Sequence, residues 1–250
     1  MQFKTLGIVL KEQNYNDNDR LLSILTKDAG VVFAWANGAR GMKNKLSYGS
    51  DLFSYCEWVF YKSKERYIVN SIDVQNLFYD IRKDVEVVSL ASYLAELAAE
   101  LSPREEPSED FFRLFLNSLY FIENRRKDLR LVKSVFELRM LSLAGYMPDL
   151  VGCEVCGCVA EDGMRFNLQS GSLCCEDCKP PAEGELFLSP AVLAAMRHIA
   201  YSDFEKLFSF TCADTTLDAL SAVTEKYLQN QLGRSFDTLA FYKSLAGFGV

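Results

Sequence analysis

The first third of the chain alternates between apolar and polar positions. From Phe3 to Val74, five short runs rich in β-branched and aromatic residues appear: FKTLGIVLK, RLLSILT, VVFAWANG, DLFSYCEWVFY and RYIVNSIDV. Gly30, Gly38, Gly41, Gly49 and the charged SKE at 63–65 separate them, a spacing that predicts five strands. As an open sheet, so small a set would leave unpaired edges, so a small closed barrel is expected. In the fourth run the period of two puts Leu52, Cys56, Trp58 and Phe60 on one face. Phe53, Tyr55, Glu57 and Tyr61 fall on the other, which reads as half-solvated.

Beyond Asp80 the period lengthens to that of a helix and helix formers replace the β-branched residues. Helices are expected over IRKDVEVVSLASYLAELAAEL, EDFFRLFLNSLYFIEN and DLRLVKSVFELRMLSLAGY. In the third, Val132, Val135, Phe136, Met140 and Leu143 form one apolar stripe, as a bundle helix requires. Downstream, Ser189-Pro190 supplies an N-cap and an N1 proline for SPAVLAAMRHIAY, and Asp203 is placed to cap DFEKLFSF. TTLDALSAVTEKYLQNQLG and FDTLAFYKSL complete the helical part. The reading is an α+β chain: a barrel over 1–80, then a helical domain over 81–250 with an insertion at about 150–182.

That insertion holds six of the eight cysteines. Cys153/Cys156 and Cys175/Cys178 are two CxxC pairs with 18 residues between them, a spacing suited to a four-thiolate zinc site. A two-residue gap lets a tight turn aim both sulfurs at one ion, and two such turns complete a tetrahedron. Cys158 and Cys174 allow other pairings; 153/156/175/178 is preferred because both halves then share one spacing and Gly157 permits the first turn. Four thiolates close the shell, so structural zinc is favoured over catalysis. A redox dithiol, a metal-free loop and, on ligand type, an iron–sulfur centre are the alternatives. The single histidine, His198, lies mid-helix, where packing or solvation is its ordinary role.

The N-terminus has no apolar core of a signal peptide, and no run reaches the roughly 18 residues of a membrane helix, which points to a cytoplasmic protein with no membrane partner. In that reducing setting, paired cysteines read as metal ligands before disulfides. The net charge of −7 argues against a generally basic nucleic-acid binder. Residues 1–80 nonetheless carry ten Lys/Arg against nine Asp/Glu, and 29–50 hold Arg40, Lys43 and Lys45 with no carboxylate. Trp35 and Tyr48 flank this glycine-rich stretch; Lys62, Lys64 and Arg66 form a second basic group. Cations for phosphates and flat rings for bases are what a DNA-binding surface needs. The plainer reading is a solvated hairpin loop, with Trp35 and Tyr55 in the barrel core.

Several stretches together resemble the bacterial RecO family of recombination mediators. GIVLKEQNYNDNDRLLSILTKDAGVV resembles the family's opening and GARGMKNKLSYGSDLFSY its basic loop. GYMPDLVGCEVCG and GSLCCEDC resemble its zinc knuckles, LFLSPAVLAAM the helix after them, and YLQNQLGRSFDTLAFYKSL the C-terminal helix. The resemblance covers essentially the whole chain. It implies an OB-fold barrel, a helical domain with structural Zn2+, no enzymatic turnover, and a cytoplasmic, nucleoid-associated role. It also implies binding of single- and double-stranded DNA, strand annealing, and partnership with RecR so that RecA replaces single-strand-binding protein. Gly41 and Asp237 depart from the family pattern, which commonly has basic residues there. The rival reading is a non-enzymatic adaptor scaffold that binds proteins through its acidic helical domain.

Overall fold

A computed structural model describes residues 2–41, 44–63, 66–159, 162–178 and 180–245. Five strands, β1 (Gln2–Asn14), β2 (Arg20–Thr26), β3 (Gly30–Ala36), β4 (Tyr55–Ser63) and β5 (Arg66–Asn76), close into a barrel in the order β1-β2-β3-β5-β4. Only the β3–β5 pairing is parallel, which gives the connectivity of an OB-fold. The long β1 pairs with β2 through Gly7–Asn14 and with β4 through Gln2–Ile8. At the crossover, Gly7 has no Cβ to collide with Ile24 and Trp58, and the Trp58 indole donates to the Gly7 carbonyl at 3.0 Å. Val9, Leu22, Ile24, Val32, Ala34, Cys56, Trp58, Phe60 and Val69 fill the interior.

The expected alternation in the fourth run holds from Tyr55 to Tyr61 and fails before it. Leu52 is half-buried in a turn, and Phe53 is fully buried with φ +65°. Hydrogen bonds from the Phe53 amide to the Val9 carbonyl and from the Val9 amide to the Ser54 carbonyl bend the chain there before β4 starts.

The helices are α1 (Val85–Leu101), α2 (Glu109–Glu123), α3 (Leu129–Leu143), α4 (Pro190–Tyr201), α5 (Asp214–Leu232) and α6 (Asp237–Leu245). The first helix starts four residues later than its sequence suggests. Asp84 accepts the Glu86 and Val87 amides as N-cap, and a separate 3₁₀ turn, Tyr79–Lys83, buries Ile81. DFEKLFSF is not a helix: only Phe204–Lys206 makes a 3₁₀ turn, and the Asp203 side chain caps nothing. The Ser209 amide and hydroxyl both return to the Lys206 carbonyl, closing the turn before a second can form. Ser189 and Pro190 do open α4, the Ser189 hydroxyl accepting the Val192 amide.

The chain forms two compact units, residues 1–124 with 238–250, and residues 125–237. In the first, α1 and α2 pack against β1 and β2, and Thr238 of α6 donates to Glu96 of α1 at 2.7 Å. In the second, α4 and α5 pack on α3, which is buried on all sides from Leu131 to Leu138. Arg139 of α3 donates to the Ile199 and Ala200 carbonyls, satisfying last-turn carbonyls of α4. A three-stranded sheet, β6 (Met164–Asn167), β7 (Leu173–Cys174) and β8 (Glu185–Leu188) in the order β7-β6-β8, carries the cysteine segment.

Candidate metal centre and nucleic-acid interface

The thiols of Cys153, Cys156, Cys175 and Cys178 converge, every pair of sulfurs within 4.8 Å. Backbone pairing brings the knuckles together: Cys153 bridges Leu173 of β7, and the Glu154 amide donates to the Leu173 carbonyl at 2.8 Å. Cys175 follows β7 directly, so both pairs end at one point. The Cys156 and Cys175 sulfurs stand 3.8 Å apart. Four sulfurs at ~2.3 Å from a central ion have edges of about 3.8 Å, so the spacing fits a tetrahedral metal. Backbone amides of Cys175, Cys156 and Val155 aimed at its sulfur hold the Cys153 thiol down at about 5. The Cys158 amide likewise lowers Cys156. Amides pointed at sulfur stabilise thiolate, the form that binds metal.

The two remaining cysteines of the segment are not members of this converging set. Cys174 is buried beside Arg165, whose guanidinium lies 3.9 Å from its sulfur. Arg165 also donates to the Cys175 carbonyl at 3.0 Å and to Glu185 at 3.0 Å, tying a convergent cysteine to β6 and to the start of β8. Cys158 is exposed at the rim. Its thiol is pushed up to about 12 by hydrogen bonding to the sulfurs of Cys156 and Cys175. His198 is elsewhere, its Nε2 2.9 Å from the Lys206 carbonyl and its ring 4.7 Å from Phe210. Among the described residues all eight cysteines are free thiols.

In the other unit the basic segment is anchored rather than loose. Leu46 packs on the barrel core, and Cys56 donates weakly to the Gly49 carbonyl at 3.7 Å. The β1–β2 turn grips it: Asp19 accepts the Gly38 amide at 2.7 Å, the Arg40 amide donates to the Asn18 carbonyl at 3.0 Å, and the Arg40 guanidinium donates to the Asn16 carbonyl. Arg20 reaches the far end through Ser50 at 3.0 Å and Asp51 at 2.7 Å. Arg40, Lys45 and Tyr48 are exposed on this anchored loop, and Trp35 is half-buried beside it. Lys43 and Lys64 lie outside the described residues. Arg66 is exposed at the start of β5, whereas Lys62 is ion-paired to Glu105 at 3.1 Å and lies over the Tyr67 ring. Trp35, for which a place in the barrel core was the plainer expectation, instead sits on the outer face.

Reading the sequence for positive charge passes over Tyr15, Phe33 and Tyr61, all large and exposed. The overlooked signal is in VVFAWA. Ala34 and Ala36 are fully buried while Phe33 and Trp35 point outward. A strand that puts its small residues inside and its rings outside inverts the usual pattern.

Comparison with known proteins covers both halves of the chain. Residues 1–78 match the family model described as Recombination protein O N terminal, and residues 82–240 match Recombination protein O C terminal. A DNA repair protein RecO of Acetivibrio thermocellus is 37% identical over 243 residues, 97% of this chain and 96% of that one. One from Caldicellulosiruptor saccharolyticus is 30% identical over 240 residues, covering 96% and 97%. One from Alkaliphilus metalliredigens is 28% identical over 246 residues, covering 98% and 100%. With both family models matched in order over a barrel and a cysteine-bearing helical region, the chain belongs to the RecO family of DNA repair proteins.

Proposed function

We propose that this protein acts in DNA repair as a non-enzymatic mediator. It binds single- and double-stranded DNA, anneals complementary strands and, with RecR, helps RecA load on DNA coated with single-strand-binding protein. The observation that carries this reading is the match of both family models, in order, along the chain. The exposed cations of the anchored loop, Arg40 and Lys45, with Arg66, supply the phosphate contacts. Neutralising phosphates on two strands lowers their repulsion, and a binder that reads no base edges leaves the pairing faces free.

Four converging thiolates suit a tetrahedral zinc ion. When bound, it supplies a rigid tetrahedral tie between two turns that have no apolar core of their own. Cys153, Cys156, Cys175 and Cys178 hold it, while Arg165 fixes the Cys175 backbone. The role is structural, because four protein ligands leave no open position. The deciding experiment is annealing of complementary oligonucleotides, bare and coated with single-strand-binding protein. Faster annealing of both supports the mediator; no DNA binding at any salt concentration leaves only a protein-binding scaffold.

A further inference from the structure

We infer that Cys156 and Cys158 form an oxidation site at the metal centre, where hydrogen peroxide joins the two sulfurs as a disulfide and thereby dismantles the zinc site. This rests on the structural-zinc reading above and adds a chemistry that a closed four-thiolate shell does not itself require. Of the eight cysteines, Cys156 and Cys158 alone are exposed, and the others are buried or half-buried. A solvent-borne oxidant therefore meets this pair first.

The fold holds the pair together. The Cys153 amide donates to the Cys158 carbonyl and the Gly157 amide to the Cys153 carbonyl, each at 2.8 Å, so the chain returns on itself directly after the first knuckle. Two glycines permit the return. Gly157 takes φ +73°, and a Cβ on Gly152 would stand 2.8 Å from the Gly157 carbonyl oxygen and 3.0 Å from that of Cys158. The Cys158 thiol hydrogen-bonds the sulfurs of Cys156 and Cys175 without joining the converging four. Cα atoms two residues apart are separated by at most about 7 Å, and by less where the chain turns, which is within the span of a disulfide. Cys174 is no rival, being buried against Arg165.

Hydrogen peroxide is the only oxidant the step needs. The Cys156 sulfur attacks the O–O bond and becomes a sulfenic acid, one oxygen leaving as hydroxide that solvent protonates to water. The Cys158 sulfur then attacks the Cys156 sulfur, forming the S–S bond, and its proton leaves with the second oxygen as water. The two sulfurs give up two electrons and the peroxide accepts them. With Cys156 withdrawn, three thiolates remain and the shell that ties the two turns is broken. A dithiol reductant cleaves the bridge by exchange and restores all four ligands.

Full-length protein loaded with zinc is treated with hydrogen peroxide; released metal is read with a chromophoric chelator, and disulfides are mapped by mass spectrometry after alkylation. Loss of the zinc together with a Cys156–Cys158 bridge is expected, and dithiothreitol with added zinc should restore both thiols and the metal content. Cys158→Ser should bind zinc as the unaltered chain does but lose that recovery, because an unresolved sulfenic acid goes on to sulfinic acid, which dithiothreitol does not reduce. Cys174→Ser should behave as the unaltered chain throughout. Zinc that stays bound through peroxide treatment, or a bridge that leaves Cys158 free, overturns the oxidation site while leaving the structural metal intact. So does a Cys158→Ser protein that recovers as fully as the unaltered one. A chain that binds no zinc before oxidation overturns the structural-zinc reading as well.

Discussion

Lys133 and Glu137, one turn apart on α3, meet at 2.9 Å with 2% and 0% of their side chains exposed. Glu225 of α5 approaches the same ammonium at 3.2 Å, and the Thr224 hydroxyl donates to Glu137 at 2.6 Å. The pair therefore joins α3 to α5 by a buried polar network in which each charge depends on the others. Removing one partner strands a buried charge, which costs about 3–5 kcal/mol, whereas removing both replaces the pair with apolar packing. Lys133→Met is expected to lower stability by about 3 kcal/mol or more, since it removes the buried ammonium that both Glu137 and Glu225 face. Lys133→Met/Glu137→Leu should be less damaging than that single change. Urea denaturation of the three proteins measures the difference.

Asp128 makes a pH-dependent contribution at the start of α3. Its carboxylate accepts the Arg130 amide at 2.8 Å and pairs with the Arg130 guanidinium at 2.7 Å, and those hydrogen bonds hold it below its ordinary 3.8. A depressed carboxylate stabilises the fold above its unfolded pKa, and that stability is lost as pH falls through the folded value. Asp128→Ala should therefore cost about 1 kcal/mol at pH 7 through the lost cap and a solvent-screened ion pair. Below 3.8 the gap should shrink toward zero. A gap that stays constant down to the acid transition would contradict this.

The same two helices mark where sequence reading ends. The strands are legible because their interior positions, such as Val32, Cys56, Trp58 and Phe60, recur every second residue. The metal cluster is legible because CxxC spacing by itself aims two sulfurs at one point. Lys133 and Glu137 are not, since opposite charges four residues apart look like a surface pair, and only α5 packing against that side of α3 buries them. The outward Phe33 and Trp35 are hidden by the rule that large apolar residues point inward. DFEKLFSF has helical composition, but a local turn at Lys206 wins over propensity.

Metal content separates the converging thiols from their neighbours. Cys175→Ser or Cys178→Ser should lose zinc, because three thiolates and a hydroxyl make a much poorer site. Cys174→Ser and Cys158→Ser should keep full stoichiometry: the first thiol lies against Arg165, and the second hydrogen-bonds to two of the four sulfurs without being one of the converging set. Zinc per chain, measured by elemental analysis after dialysis, gives the answer. Loss of zinc in Cys158→Ser with retention in Cys178→Ser would reassign the fourth ligand. Chelation should destabilise the unit of residues 125–237 while leaving the barrel folded, since the ligands all lie in that unit.

Cations of the barrel unit should respond differently to substitution, because Arg40, Lys45 and Arg66 are exposed whereas Lys62 is engaged by a carboxylate. Replacing Arg40, Lys43 and Lys45 with Glu is expected to weaken binding to every DNA sequence by a similar factor and flatten the salt dependence, as loss of phosphate contacts does. Lys62 is held by Glu105 at 3.1 Å and by the Tyr67 ring, so Lys62→Ala should cost less DNA affinity than Arg66→Ala. Glu105→Gln removes the competing charge and releases the ammonium to a phosphate. It should raise DNA affinity, with a steeper dependence on salt by roughly one further counterion. Fluorescence anisotropy with one labelled oligonucleotide across a salt series resolves all of these. A Glu105→Gln protein that binds no more tightly than the unaltered chain at low salt would show that Lys62 lies off the DNA path.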